Sequence, residues 1–89
     1  MSDNLIHFDS WAAVLAWARA GRPLFYQAPL DVWPTRLWYG TPRGTDAYYF
    51  VRKRTIRVWP HGSVGRGKKR TADPFTADRG HLSRFLRPV

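Results

Sequence analysis

The fold is indicated first by residues 47–59, which have the sequence AYYFVRKRTIRVW. Aromatic and β-branched side chains predominate in this stretch, and both favour the pleated, half-buried surface of a β-sheet. Near its end, Ile56 and Val58 alternate with Arg57 and Trp59. This period of two is typical of a strand with one buried face. We therefore predict β-structure across the stretch.

Four segments of the chain have strand composition and are bounded by proline, glycine or turn residues: 24–28, 35–39, 47–52 and 55–59. The last two would pair as a hairpin whose turn is residues 52–55. This turn lacks the Asn-Gly pair that marks the tightest hairpins, so one long bent strand from Tyr48 to Trp59 is the alternative.

A helix is predicted over residues 9–20, where apolar residues recur with the spacing of one helical face: Trp11, Val14, Leu15 and Ala18. Asp9 or Ser10 would cap its first turn by accepting a bond from an otherwise unpaired backbone amide. Gly21 stands where glycine commonly ends a helix, and Pro23 prevents the helix from continuing.

A second, shorter helical turn is predicted near the C-terminus, capped by Thr76 or Asp78, with Leu82, Phe85 and Leu86 facing the core. The fold class that follows is α+β: an N-terminal helix packed on a small three- or four-stranded antiparallel sheet, with a short C-terminal helical turn. The alternative is an SH3-like small β-barrel with an added helix, because short strands with frequent glycine and proline suit a strongly curved sheet.

Length and composition predict one small domain. A chain of 89 residues is short for two cores, so residues 1–89 are expected to form a single domain with a flexible basic loop at residues 60–74. The absence of cysteine excludes a disulfide framework and thiolate metal sites. The N-terminal residues lack the basic region of a signal peptide, and the apolar stretch 11–18 is too short to span a bilayer. We therefore expect a cytoplasmic protein with no membrane partner, no cofactor and no metal.

The charge distribution is the strongest functional signal. The chain has 15 Lys and Arg residues against 6 Asp and Glu residues, a net charge of +9, and no acidic residue lies between Arg52 and Arg70. Such a basic stretch is a candidate contact surface for a polyanion, which it would also attract over a distance. The alternative explanation is codon bias in a GC-rich genome, since Arg outnumbers Lys and Glu is absent.

The leading hypothesis is a small non-enzymatic protein that binds nucleic acid. Basic side chains of the strand and the loop would neutralise phosphates: Arg52, Lys53, Arg54, Arg57, Arg66, Lys68, Lys69 and Arg70. Tyr48 or Trp59 would stack on a base. Tyr49 and Val51 fit the core face of their strand. Tyr48 and Phe50 would then share the opposite face with Arg52, unless the sheet is covered on both sides. DNA and RNA, single-stranded or duplex, all fit this hypothesis.

Two other functions are compatible with the composition. One is a protein-interaction module that docks on an acidic partner or forms a homodimer through an exposed aromatic patch, as small accessory proteins of phages and mobile elements do. The other is a metal-independent, toxin-like ribonuclease in which His61 is the general acid and base, assisted by Arg57 and by Tyr48 or Tyr49. Because no motif marks a nucleophile, we do not expect an enzyme.

One stretch imitates a nucleotide-binding motif. Residues 62–68, GSVGRGK, have the G-x-x-x-x-G-K spacing of a phosphate-binding loop. The next residue is Lys69, where the motif requires a Ser or Thr for Mg²⁺, and residues 70–74 are a poor start for the helix that should follow. We therefore interpret the stretch as, at most, a looser backbone nest for phosphate.

Overall fold

The chain is mostly β-structure in the part that the computed structural model describes, residues 4–40, 46–60 and 73–89. Seven strands lie in these ranges: β1 (Leu5–His7), β2 (Leu24–Tyr26), β3 (Thr35–Tyr39), β4 (Tyr48–Arg52), β5 (Thr55–Trp59), β6 (Phe75–Ala77) and β7 (Phe85–Pro88). One α-helix, α1 (Trp11–Arg19), and one 3-10 helix (Arg79–Arg84) accompany them in the same ranges.

The strands form one mixed sheet in the order β1-β7-β2-β3-β4-β5-β6. The described pairs are antiparallel except β3 with β4, which run parallel and place Trp38 opposite Tyr48. The first and last of the described strands, β1 and β7, are neighbours, with Leu5 opposite Pro88. β1 and β6 therefore lie at the two edges of the sheet.

The predicted three- or four-stranded antiparallel sheet is wrong, and so is the SH3-like barrel given as its alternative. The four predicted strands are present as β2 to β5, but the sequence does not predict β1, β6 or β7. Each of these has only three or four residues, too few for an alternating pattern. Each becomes a strand by pairing with a segment that does not adjoin it in the sequence. β1 pairs with β7, β7 pairs also with β2, and β6 pairs with β5.

The predicted hairpin is confirmed, because β4 and β5 pair antiparallel across a short turn. The turn residue Lys53 has φ 57°, the left-handed conformation that residues other than glycine rarely adopt. Two side chains of α1 hold the turn. An Arg19 guanidinium nitrogen donates to the Lys53 carbonyl at 2.7 Å, and the Trp11 indole Nε1 donates to the Arg54 carbonyl at 2.8 Å.

The predicted helix is confirmed as α1, capped by Ser10, whose hydroxyl accepts a hydrogen bond from the Ala13 amide at 3.1 Å. Its apolar stripe is buried, with Val14, Leu15 and Ala18 all in the core. The core also contains residues from β2 to β5: Leu24, Leu37, Tyr49, Ile56 and Val58. The core of the protein therefore lies between α1 and one face of the sheet.

The C-terminal helical turn is present as the 3-10 helix, and Asp78 rather than Thr76 is its cap. The turn ends earlier than predicted. Phe85 and Leu86 belong to β7, where both are buried, because an extended backbone lets them pair with β2. Phe85 and Leu86 thus complete the sheet instead of extending the helical turn.

Candidate nucleic-acid interface

The two faces of the sheet around the β4–β5 hairpin differ in character. Tyr49 is fully buried in the core and faces α1. Side chains alternate along a strand, so the residues next to Tyr49 face away from α1. The neighbouring positions point to the other face, where the register pairs these residues: Tyr48 with Trp59 and Phe50 with Arg57. Aromatic and guanidinium groups therefore gather on the face away from α1.

Strand β3 extends this face, because Trp38 lies beside Tyr48 in the parallel pair. Arg36 precedes Trp38 by two residues and points the same way, with its guanidinium carbon 4.2 Å from the centroid of the Trp38 ring. This distance is within the range of a cation–π contact. We call this surface the aromatic face and define it by these residues: Arg36, Trp38, Tyr48, Phe50, Arg57 and Trp59.

The rings of the aromatic face are packed around Tyr48. The Tyr48 ring stacks on Trp59, with ring centroids 4.8 Å apart and 7° between the ring planes. Phe50 meets both rings edge-on, with its centroid 5.9 Å from that of Tyr48 and 5.8 Å from that of Trp59. Stacked and edge-to-face contacts both stabilise aromatic pairs. The three rings therefore support one another in a defined arrangement.

Solvent reaches the outer rings of the aromatic face far more than the central one. Trp38 is 47% exposed and Phe50 is 37% exposed, whereas Tyr48 is only 6% exposed. Tyr48, which the sequence suggests as a base-stacking residue, is therefore placed to support its neighbours. Trp38 and Phe50 offer ring surface that a ligand can contact.

A groove of about 520 Å³ borders the aromatic face and is lined by Arg52, Thr55, Arg57, Trp59 and Thr76. The Arg57 guanidinium donates to the Thr76 hydroxyl at 2.9 Å and lies 5.5 Å from the centroid of the Trp59 ring. Within the described ranges, the only carboxylate within ion-pair distance of a basic side chain is that of Asp78, whose partner is the His81 imidazole. Neither Arg52 nor Arg57 is therefore neutralised by a carboxylate in that part of the chain.

Asp78 is satisfied locally, at the start of the 3-10 helix. Its carboxylate accepts a hydrogen bond from the Gly80 amide at 2.9 Å and lies 3.3 Å from the His81 Nδ1 atom. The Gly80 bond first, and the His81 bond second, hold the pKa of Asp78 below its ordinary value. Asp78 is therefore ionised at neutral pH, with its hydrogen bonds made to its own turn.

The predicted phosphate-binding residues fall into two groups. Four of them lie outside the described residues: Arg66, Lys68, Lys69 and Arg70. The other four are brought together by the β4–β5 hairpin. Arg52 and Arg57 line the groove, Lys53 occupies the turn, and Arg54 lines a different pocket, beside α1. The hairpin thus presents basic side chains to both faces of the sheet.

The predictions about the basic loop at residues 60–74 and the motif-like residues 62–68 fall almost entirely outside the described residues, as does His61. Tyr49, another residue of the ribonuclease hypothesis, is described. Its hydroxyl donates to the Arg22 carbonyl at 2.8 Å, and burial raises the pKa of Tyr49 above its ordinary value. Tyr49 therefore stabilises the fold and does not face solvent, where it could exchange protons with a substrate.

Sequence reasoning missed Arg36, Trp38 and Thr76. A signal for the first two exists in the predicted strand 35–39, where Leu37 separates them, because a buried Leu37 directs both neighbours to the opposite face. No local signal identifies Thr76, since β6 is a strand only through its pairing with β5.

Within residues 4–40, 46–60 and 73–89, no three His, Cys, Asp or Glu side chains come together as a metal site. No helix in that part of the chain combines the length and the apolar character needed to cross a membrane. No family model, no curated protein and no solved structure matches this chain.

Proposed function

We propose that this protein binds single-stranded nucleic acid, with bases against the aromatic face and phosphates against the arginines around it. One observation supports the proposal above all others: the exposed rings of Trp38 and Phe50 lie beside Arg36 and Arg57, which have no carboxylate partner within the described ranges. Aromatic platforms flanked by basic groups suit single strands of any sequence, because every base has a ring face that can stack.

The preference for single strands follows from the geometry of stacking. A ring can stack only on a base with a free face, and the bases of a duplex are stacked on one another. The net charge of +9 adds an attraction for phosphates that is independent of sequence and strandedness. We therefore expect binding to duplexes as well, but with lower affinity than to single strands.

The test is a fluorescence anisotropy titration of a labelled oligonucleotide of one sequence, supplied as single-stranded RNA, single-stranded DNA and duplex DNA. The parent protein is compared with the double variant Trp38→Ala/Phe50→Ala. Base–ring stacking contributes about 1–3 kcal/mol per base, so the double variant should bind single strands about tenfold or more weakly. Its melting temperature should fall by several degrees, because Phe50 packs against Tyr48 and Trp59, so circular dichroism is used to check that the variant is folded at the temperature of the titration.

Trp33→Ala is the matched control. Trp33 is 79% exposed in the segment between β2 and β3 and is not part of the aromatic face. Its loss removes the same kind of side chain and should leave the affinity within about twofold of the parent value. An equal loss of affinity in the control and the double variant would contradict the proposal. So would a parent protein that binds only duplexes, or binds no nucleic acid.

A further inference from the structure

A second pocket, of about 390 Å³, lies beside α1 and is lined by Trp11, Ala12, Leu15, Arg19, Arg54 and Arg79. Its apolar part comes entirely from α1. Its three guanidinium groups come from three different elements, namely α1, the hairpin turn and the 3-10 helix. The fold thus brings three positive charges, distant in sequence, to the lining of one pocket that also has an apolar side.

The pocket is held in shape by bonds between α1 and the hairpin turn. Trp11 Nε1 donates to the Arg54 carbonyl at 2.8 Å, and the Arg19 guanidinium donates to the Lys53 carbonyl at 2.7 Å. These bonds fix the backbone from which the Arg54 side chain extends. They also fix the Arg19 side chain at the edge of the pocket, where its remaining donors can serve a ligand.

The three arginines have no anion to balance them in the described part of the chain. No carboxylate is among the residues that line the pocket, and within the described ranges no carboxylate lies within ion-pair distance of an arginine. Like charges around one pocket repel each other, and a bound anion would relieve that repulsion. Guanidinium groups match the paired oxygens of a phosphate especially well.

We infer that this pocket binds a phosphate monoester carried on a ring system, as in a nucleoside monophosphate or the phosphorylated 5′ end of a strand. Arg54 and Arg79 would contact the phosphate, and the ring system would lie on the apolar side chains of α1. The pocket volume is within the range of small-molecule sites, roughly 300–1,000 Å³. The inference does not rest on the proposed function, because this pocket and the groove beside the aromatic face share no lining residue.

The test is an NMR titration of the whole chain with AMP, inorganic phosphate and adenosine at constant ionic strength. The reporter is the indole N–H resonance of Trp11, since this group donates to the backbone of the hairpin turn at the pocket. We expect a saturable shift with AMP, weaker binding of inorganic phosphate, and no response to adenosine. Shifts that never saturate, or that sodium chloride reproduces, would overturn the inference.

Variants then locate the site. Arg54→Gln and Arg79→Gln should each weaken AMP binding about tenfold, because a hydrogen bond between charged groups is lost. Arg22→Gln is the control: it removes the same charge from an exposed arginine that stacks on Trp17, outside the pocket. An equal effect of all three variants, or no effect of the first two, would refute a defined site.

Oligonucleotides distinguish the two sources of the phosphate. If an oligonucleotide with a 5′ phosphate displaces AMP from the Trp11 reporter and its 5′-hydroxyl counterpart does not, the pocket recognises a strand end. If neither oligonucleotide displaces AMP, the ligand is a free nucleotide. If both displace AMP equally, a terminal phosphate monoester is not required and the inference fails. Trp38→Ala/Phe50→Ala should leave the AMP response unchanged, so the two proposals can fail independently.

Discussion

The hydroxyl of Tyr49, a side chain with no exposed surface, donates to the carbonyl of Arg22, 2.8 Å away. This bond joins the centre of the sheet to the segment that follows α1. Tyr49→Phe would remove the donor and leave a partly buried carbonyl without a partner. We expect a loss of about 1–3 kcal/mol of unfolding free energy, measured by urea denaturation. Tyr39→Phe, which alters a half-exposed tyrosine of β3, should change it by less than about 0.5 kcal/mol.

The same residue predicts how stability depends on alkaline pH. Burial raises the pKa of Tyr49 above the ordinary value of 10.0, whereas the tyrosine of the unfolded chain ionises near that value. This difference in pKa contributes to the free energy of unfolding. The contribution is present in full below pH 10 and is lost as the pH rises above that value, because the unfolded state then releases a proton that the folded state keeps. Urea denaturation from pH 8 to 11 should show a steeper loss of stability in the parent than in Tyr49→Phe. Parallel curves would show that this tyrosine does not contribute to the pH dependence.

The packing of α1 is tested by shortening one buried side chain. Leu15→Ala should lower the unfolding free energy by about 2–5 kcal/mol, because Leu15 is 6% exposed and its loss leaves a cavity in the core. Leu30→Ala makes the same chemical change at a side chain that is 96% exposed. It should have an effect below about 0.5 kcal/mol. Similar values for the two variants would mean that α1 does not cover the core.

The salt dependence of binding measures the phosphate contacts of the groove. For a single strand, the slope of log affinity against log salt concentration changes by about 0.7 for each phosphate that is neutralised. Arg52→Gln and Arg57→Gln, which alter two groove residues, should each flatten this slope by about that amount. Arg22→Gln removes the same charge away from the groove and should leave the slope unchanged. A parent protein whose affinity is insensitive to salt would count against phosphate binding altogether.

The basic residues outside the described ranges can be tested in the same assay. Replacing Lys68, Lys69 and Arg70 together by Ala should flatten the slope by about two units at most, if all three contact phosphates. The melting temperature should barely change. A slope equal to that of the parent would restrict the phosphate contacts to the hairpin and its surroundings.

The parts of the fold that the sequence predicted are those with local causes. Ser10 caps α1 through an amide three residues away, and the β4–β5 hairpin forms between adjacent segments. β1 and β7 could not be predicted, because the pairing of Leu5 with Pro88 depends on contacts across the whole chain. Strands of three and four residues carry too little pattern to be recognised without their partners.

The candidate site was predicted in part for the same reason. Strand alternation places Phe50 on the face opposite Tyr49, as the sequence suggests. The depth of Tyr48 could not be foreseen, because its burial depends on the neighbouring Trp59 and Phe50 rings and on Trp38 from another strand. Alternation gives the direction of a side chain, whereas its exposure depends on what the tertiary structure places around it.

The position of β7 between β1 and β2 has a consequence for the order in which the protein assembles. Phe25 pairs with Leu86, so β2 finds this neighbour only after synthesis has continued as far as β7. Until then β1 and β2 both present unpaired strand edges, which can pair with other chains. Folding that waits for contacts between residues so far apart in sequence is slow, on a timescale of roughly milliseconds to seconds. We therefore expect the nascent chain to be most prone to aggregation just before β7 leaves the ribosome.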